Sequence, residues 1–270
     1  MTAALAADLA TRAEELPDPA RPPLTDIPPT SDPRADSRML ELAVRLASLL
    51  RRPIDYIDPH QRTLTPLDPG VIGAMADHPA FRAPINRAIA GQIGFDAVPI
   101  DDAMLGRLLR APSSRLAVVI LTAPMDEVAH VARLVAAAIL SRRIRGTVMK
   151  ADRERIRDAL GDGVFEFAIQ EVPVLYPALC ELDLTSRNEL RQPTGEHGTV
   201  GQIEQLGMAA LGGFLDSTEP SLAGPFTLRL PPATNYAGRT SAVGRFETIH
   251  CDQIVKIVRR RQQSWSAIID

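Results

Sequence analysis

A chain of 270 residues is long enough to bury a sizeable core, and 45% hydrophobic with 23% charged residues is a globular composition, not a disordered or fibrous one. Aromatic residues make up only 4%, so the core has to be built from Leu, Ile, Val and Ala, which suits packed helices. A formal net charge of -3 excludes wholesale attraction to nucleic acid or an anionic membrane, and two cysteines, Cys180 and Cys251, exclude a disulfide framework.

The start, MTAALAADLATRAEELPDP, lacks a basic residue leading into a long apolar run, so it does not read as a secretory signal. A weak helix over residues 3–15 precedes LPDPARPPLTDIPPTSDPRADS, where the prolines disfavour both helix and strand. Residues 1–37 are therefore expected to be a flexible Pro-rich segment, with a mainly helical globular domain over 38–270. A distinct C-terminal part from about residue 178 is the alternative division.

SRMLELAVRLASLLRR, residues 37–52, predicts a helix with Leu40, Ala43, Val44, Ala47 and Leu50 on its apolar stripe. It runs into RRPIDYIDPH, a corner stiffened by Pro53 and Pro59, with Tyr56 and Ile57 as apolar anchors for a core or a partner. Short helical pieces broken at Pro79 and Pro84 follow over residues 70–95.

The strongest helical signal is APMDEVAHVARLVAAAILSRRIRG. Val128, Val131, Leu134 or Val135, and Ala138 or Ile139 recur at helical spacing, with Asp126 and Glu127 at the start and Arg142, Arg143 and Arg145 at the end, where both signs complement the helix dipole. It is no membrane span, because His130 and Arg133 interrupt it, and the apolar LAVVILTA before it is too short. ADRERIRDALG predicts a helix N-capped by Asp152 and stopped at Gly161, and VFEFAIQEVP another that stops before Pro173.

In TVGQIEQLGMAALGGFLDS, Val200, Ile203, Gly207, Leu211 and Phe214 share one side, and the small residues Gly207, Ala210, Gly212 and Gly213 suit a close helix crossing. Residues 223–242 read as extended chain and turns, with Phe226, Leu228 and Leu230 alternating around Thr227 and Arg229. A last helix spans residues 247–269. The fold class is mainly α: an irregular helical domain with short extended segments in the C-terminal third.

No phosphate loop, dinucleotide fingerprint or nucleophile elbow occurs. His60, His78, His130, His197 and His250 do not fall at metal-ligand spacing, and His250 and Cys251, adjacent on a helix, point about 100° apart. No catalytic, cofactor-binding or metal-binding residue is assigned. Arg259, Arg260 and Arg261 offer either a solvated helix end or a grip for an acidic partner. Trp265, the only tryptophan, is either a plug docking the terminal helix or an interface anchor. Tyr56, Ile57, Arg259, Arg260, Arg261 and Trp265 are thus the candidate interaction residues.

Across residues 46–175, RRPIDYIDPH, LVAAAILSRRIRGTVMKADRERIRDALGDGVFEFAI and the following QEVPVL resemble the SctK family. These are cytosolic accessory proteins of bacterial type III secretion systems and include the nodulation-associated NolU proteins. The resemblance implies a non-enzymatic adaptor of the sorting platform, linking cytosolic pod components to the inner-membrane ring. It also implies a cytoplasmic location, peripheral to the inner membrane through protein partners, with no cofactor, no specific nucleic acid and no direct membrane insertion. Two other readings stay open: a small-ligand enzyme assembled from scattered residues such as Asp55, His60, His130 and Glu166, and a nucleic-acid-binding regulator using Arg259 to Arg261.

Overall fold

The structure, a computed structural model, describes residues 33–62, 67–92, 106, 110–182, 198–230 and 246–270. The expected helix over 3–15, most of the Pro-rich segment and residues 231–243 lie outside the described residues. The chain divides into a unit Met1–Asp36 and a unit Ser37–Asp270.

Helix α1 (Pro33–Arg51) starts within the Pro-rich stretch. Two 3₁₀ turns follow, Pro53–Tyr56 and Pro59–Gln61, and then α2 (Pro69–Asp77) and α3 (Pro79–Gln92). The break expected at Pro79 is present, but Pro84 lies inside α3. Pro84 is solvent-exposed and falls early in the helix, so the donor it lacks is missing from a face that water can reach.

Next come α4 (Pro112–Thr122) and α5 (Met125–Gly146), the longest helix among the described residues. From Val131 to Ser141 every residue of α5 except Arg133 is buried. A helix apolar on all sides is stable only when surrounded. Around α5 pack α6 (Lys150–Leu160), α7 (Asp162–Glu166), a π turn (Phe167–Glu171), α8 (Val172–Leu175) and α9 (Pro177–Cys180). The enclosure is completed by α10 (Gly198–Thr218), while α11 (Pro220–Leu228) lies against α10 and α4. The terminal pair is α12 (Thr248–Arg261) and α13 (Gln263–Ile269), both packed on α4.

Several expectations are corrected. Leu42, Leu46 and Leu49 form the buried stripe of α1, whereas Leu40 and Val44, expected inside, face solvent. Asp152 is not the cap of α6: the N-cap position is Met149, and Asp152 sits in the first turn, where its charge still complements the dipole. Gly161 does end α6, at φ 80°, a backbone conformation that glycine adopts without steric cost.

Residues 220–228, read in part as extended, are helical. Pro220 opens α11 at its first turn, and the buried set Leu222, Pro225 and Phe226 follows helical spacing, not alternation. No strand is present among the described residues. The last helix is not continuous either, since the chain breaks at Gln262 (φ -119°, ψ 83°) and turns back as α13.

Pro173 does not stop the helix before it. The Val172 N–H donates to the Phe167 carbonyl, five residues back, so the chain widens to a π turn and Pro173 opens α8 in the new register. That shift takes the Val172 donor from Ala168, and the donor five residues on from Ala168 would be Pro173, which has no N–H. The buried Ser141 hydroxyl of α5 donates to the Ala168 carbonyl at 2.6 Å instead. One side chain of the central helix thus satisfies the carbonyl that a proline leaves without a partner.

The crossing of α10 over α5 is as close as its small residues suggest. A Cβ added at Gly207 would stand 2.0 Å from the Ala132 carbonyl oxygen. No side chain fits there without moving backbone.

Two outcomes are expected in urea unfolding. Gly207→Ala lowers stability by about 2–4 kcal/mol, because relief of the clash separates the two core helices, while Gly224→Ala in α11, with nothing within 4 Å of its added Cβ, leaves stability equal or slightly higher. Ser141→Ala costs about 1–3 kcal/mol by leaving a buried carbonyl unsatisfied, and Ser141→Thr recovers part of the loss.

Candidate functional site

The Pro53–Gln61 corner is a joint. Prolines open both of its 3₁₀ turns, where their fixed φ fits and their missing donor costs nothing. Asp58 accepts from the His60 N–H at 2.9 Å, and its own N–H donates to the Leu228 carbonyl at 3.0 Å. The Gln61 side-chain amide donates to the Leu230 carbonyl, and the Ile54 N–H to Asn86 of α3. Ile54 and Ile57 are buried with Ile72, Ile85 and Ile89, and half-buried Tyr56 packs on the main core. Of the two uses open to Tyr56 and Ile57, core packing is the one observed.

Between this corner and the turn joining α4 to α5 lies a cleft of about 390 Å³. Its charged lining is Asp55, Asp58, Arg62 and Arg229, and Tyr56, Ile57 and Met125 contribute apolar surface. Asp55 pairs with Arg52 at 2.8 Å. Arg229 is only 6% exposed and donates to the Ile120 and Ala123 carbonyls at 2.6 Å each, capping the C-terminus of α4. Burial pulls its pKa down to about 10. The Nε atoms of Arg62 and Arg229 are both buried and without a hydrogen-bond partner.

The basic run of α12 is largely engaged within the chain. Arg259 pairs with Asp270 at 2.8 Å, Arg260 reaches Glu171 at 3.5 Å, and Arg261 bonds the other oxygen of Glu171 while its guanidinium lies 4.9 Å from the Phe167 ring centre. Glu171 closes the π turn, so the widened register is what delivers this carboxylate to both arginines. Trp265 is 1% exposed, and its indole N–H donates to Glu127 in the first turn of α5. Of the two alternatives open to Trp265, the structure therefore shows the plug that docks α13, which corrects its place among the candidate interaction residues.

The scattered acid and base residues are not assembled in the cleft: of Asp55, His60, His130 and Glu166, only Asp55 lines it. His60 and Glu166 are exposed, and the pKa of half-buried His130 is lowered, first by burial and then by Arg133. His250 accepts the Glu247 N–H through Nδ1 in a capping box, while burial raises the Cys251 thiol to about 11, a weak nucleophile. No cluster of three or more potential metal ligands occurs among the described residues. No described helix is long and apolar enough to cross a membrane.

Three features have no unambiguous signal in the sequence. Arg229 sits between apolar residues in a pattern that imitates a strand, and Arg62 carries no local signal at all. The apolar stripe expected on α1 includes Leu40 and Val44, yet they are 66% and 56% exposed, because the helix has two apolar faces and periodicity does not rank them. Comparison with protein-family models, curated proteins and solved structures gives no match.

Trp265→Ala is expected to cost about 3–5 kcal/mol in urea unfolding, as for other large core truncations. Trp265→Phe, which keeps most of the volume but loses the bond to Glu127, should fall between that variant and the wild type.

Proposed function

We propose that this chain is a non-enzymatic structural adaptor of a bacterial type III secretion sorting platform, linking cytosolic pod components to the inner-membrane ring. It acts in the cytoplasm, peripheral to that membrane through its protein partners. The observation that carries the reading is the outer face of α1. Leu40 and Val44 stand one turn apart and exposed, with Ala47 following, on the side opposite the buried Leu42, Leu46 and Leu49.

A helix apolar on two opposite faces satisfies one of them against its own body. The other is a ready anchor for a second protein, since covering a Leu or Val side chain is favourable by about 1.5–3 kcal/mol. The resemblance over residues 46–175 supports the same role. It spans the end of α1, the corner, α5, α6 and the π turn, so it covers much of the body behind this face. Against the regulator reading, the ion pairs of Arg259 and Arg261 leave that run less free charge for phosphate than a solvated run would have.

Affinity capture from the native cell with the full chain is expected to recover ring and pod components. Leu40→Glu combined with Val44→Glu should abolish that recovery with the melting temperature unchanged, because neither residue touches the core. Recovery of no secretion component would overturn the adaptor role, and equal capture by the double variant would overturn the α1 face as its contact surface.

A further inference from the structure

We infer that the cleft beneath the Pro53–Gln61 corner is a carboxylate-binding site, in which Arg62 and Arg229 hold the anion and the apolar walls take a short aliphatic stem. The inference does not rest on the adaptor reading, because it follows from charges and geometry within this chain alone.

A buried guanidinium is costly unless a counter-charge or a full set of acceptors compensates it. Among the described residues Arg229 has two acceptors, the Ile120 and Ala123 carbonyls, and no carboxylate partner, and its Nε–H has no acceptor. It lines the corner cleft beside Tyr56 and Asp58. Arg62 lines the same cleft with its own Nε buried and unsatisfied.

Contrast the shallower hollow of about 480 Å³ lined by Tyr176, Lys256, Arg259, Arg260 and Asp270. There Arg259 and Arg260 already have carboxylate partners, Asp270 and Glu171. The corner cleft is different because its arginines have no carboxylate partner among the described residues.

The charge of the lining selects a monoanion. Asp55 is neutralised by Arg52, which leaves Asp58 alone against Arg62 and Arg229. A single carboxylate cancels the remaining positive charge, whereas a phosphate dianion would overshoot beside Asp58. The planar fork of a guanidinium also matches a carboxylate geometrically. Ile57, Pro59, Ala123, Pro124 and Met125 provide an apolar wall suited to a short chain behind the charged head.

Such a carboxylate arrives either as a free short-chain acid or as a glutamate side chain of another protein. Titration of the full-length protein, observed through its arginine Nε–Hε NMR signals, separates these sources. Arg62→Lys and Arg229→Lys assign the two signals, and sodium butyrate, N-acetyl-glutamate N-methylamide, sodium phosphate and sodium chloride at matched ionic strength are the probes.

Butyrate and the glutamyl compound are expected to shift both signals saturably, while chloride leaves them in place. Tighter binding of butyrate identifies a free acid, and tighter binding of the glutamyl compound a protein side chain. Arg62→Gln, chosen because the Arg62 side chain has no hydrogen-bond or ion-pair partner among the described residues, should keep the melting temperature and weaken both titrations at least tenfold. Shifts produced by phosphate alone, equal shifts at exposed arginines such as Arg87, no shift at all, or undiminished binding by Arg62→Gln would each overturn the site.

Discussion

Where α10 crosses α5, the hydrogen of Gly207 faces the Ala132 carbonyl, and the distance between the two helices follows from that contact. The alanines at 132 and 136–138 let neighbours approach α5 on other sides as well, so a helix with little side-chain bulk becomes the centre of the body. Close approach matters here because the chain has few large side chains with which to fill gaps. Packing density in a core of aliphatic residues has to come from backbone proximity.

Onto this centre the C-terminal elements are fastened by polar contacts that each have a structural cause. The π turn exists because a proline follows it, and the turn leaves a carbonyl that Ser141 satisfies and ends in a carboxylate that Arg260 and Arg261 reach. At the break after Arg261 the chain reverses, and Trp265 enters the core with its indole N–H on Glu127. The acidic first turn of α5 therefore has two roles: it complements the helix dipole and it receives the terminal plug.

Neither the basic run nor the corner behaves as an isolated feature once folded. The arginines that look like a surface grip in the sequence are mostly ion-paired within the chain, and the proline-stiffened corner is hydrogen-bonded through Ile54 to α3 and through Asp58 and Gln61 to the end of α11. The two surfaces proposed for other molecules lie elsewhere, on the outward stripe of α1 and in the cleft where Arg229 is held. Both are by-products of how the core is closed: one helix has more apolar surface than the core can cover, and one cation is needed to cap α4.

From the sequence alone follow the helical class, the limits of α5, the stop at Gly161 and the close crossing at Gly207, because each depends on interactions within a few turns or on residue size. Charges at both ends of α5, a glycine where φ is positive and small residues in a row are local facts. The choice between the two apolar faces of α1 is not local, since periodicity states that both exist and only the neighbouring helices decide which is covered. Equally, Phe226, Thr227 and Leu228, which fit both an alternating and a helical pattern, are helix under Pro220 and the packing of Leu222 and Phe226. Arg229 found its acceptors more than a hundred positions earlier, at Ile120 and Ala123, and Glu171 found its cations ninety positions later, at Arg261. Tertiary structure decided those partnerships because a charge is satisfied by whatever lies within a few ångströms in space, and distance along the chain does not report that.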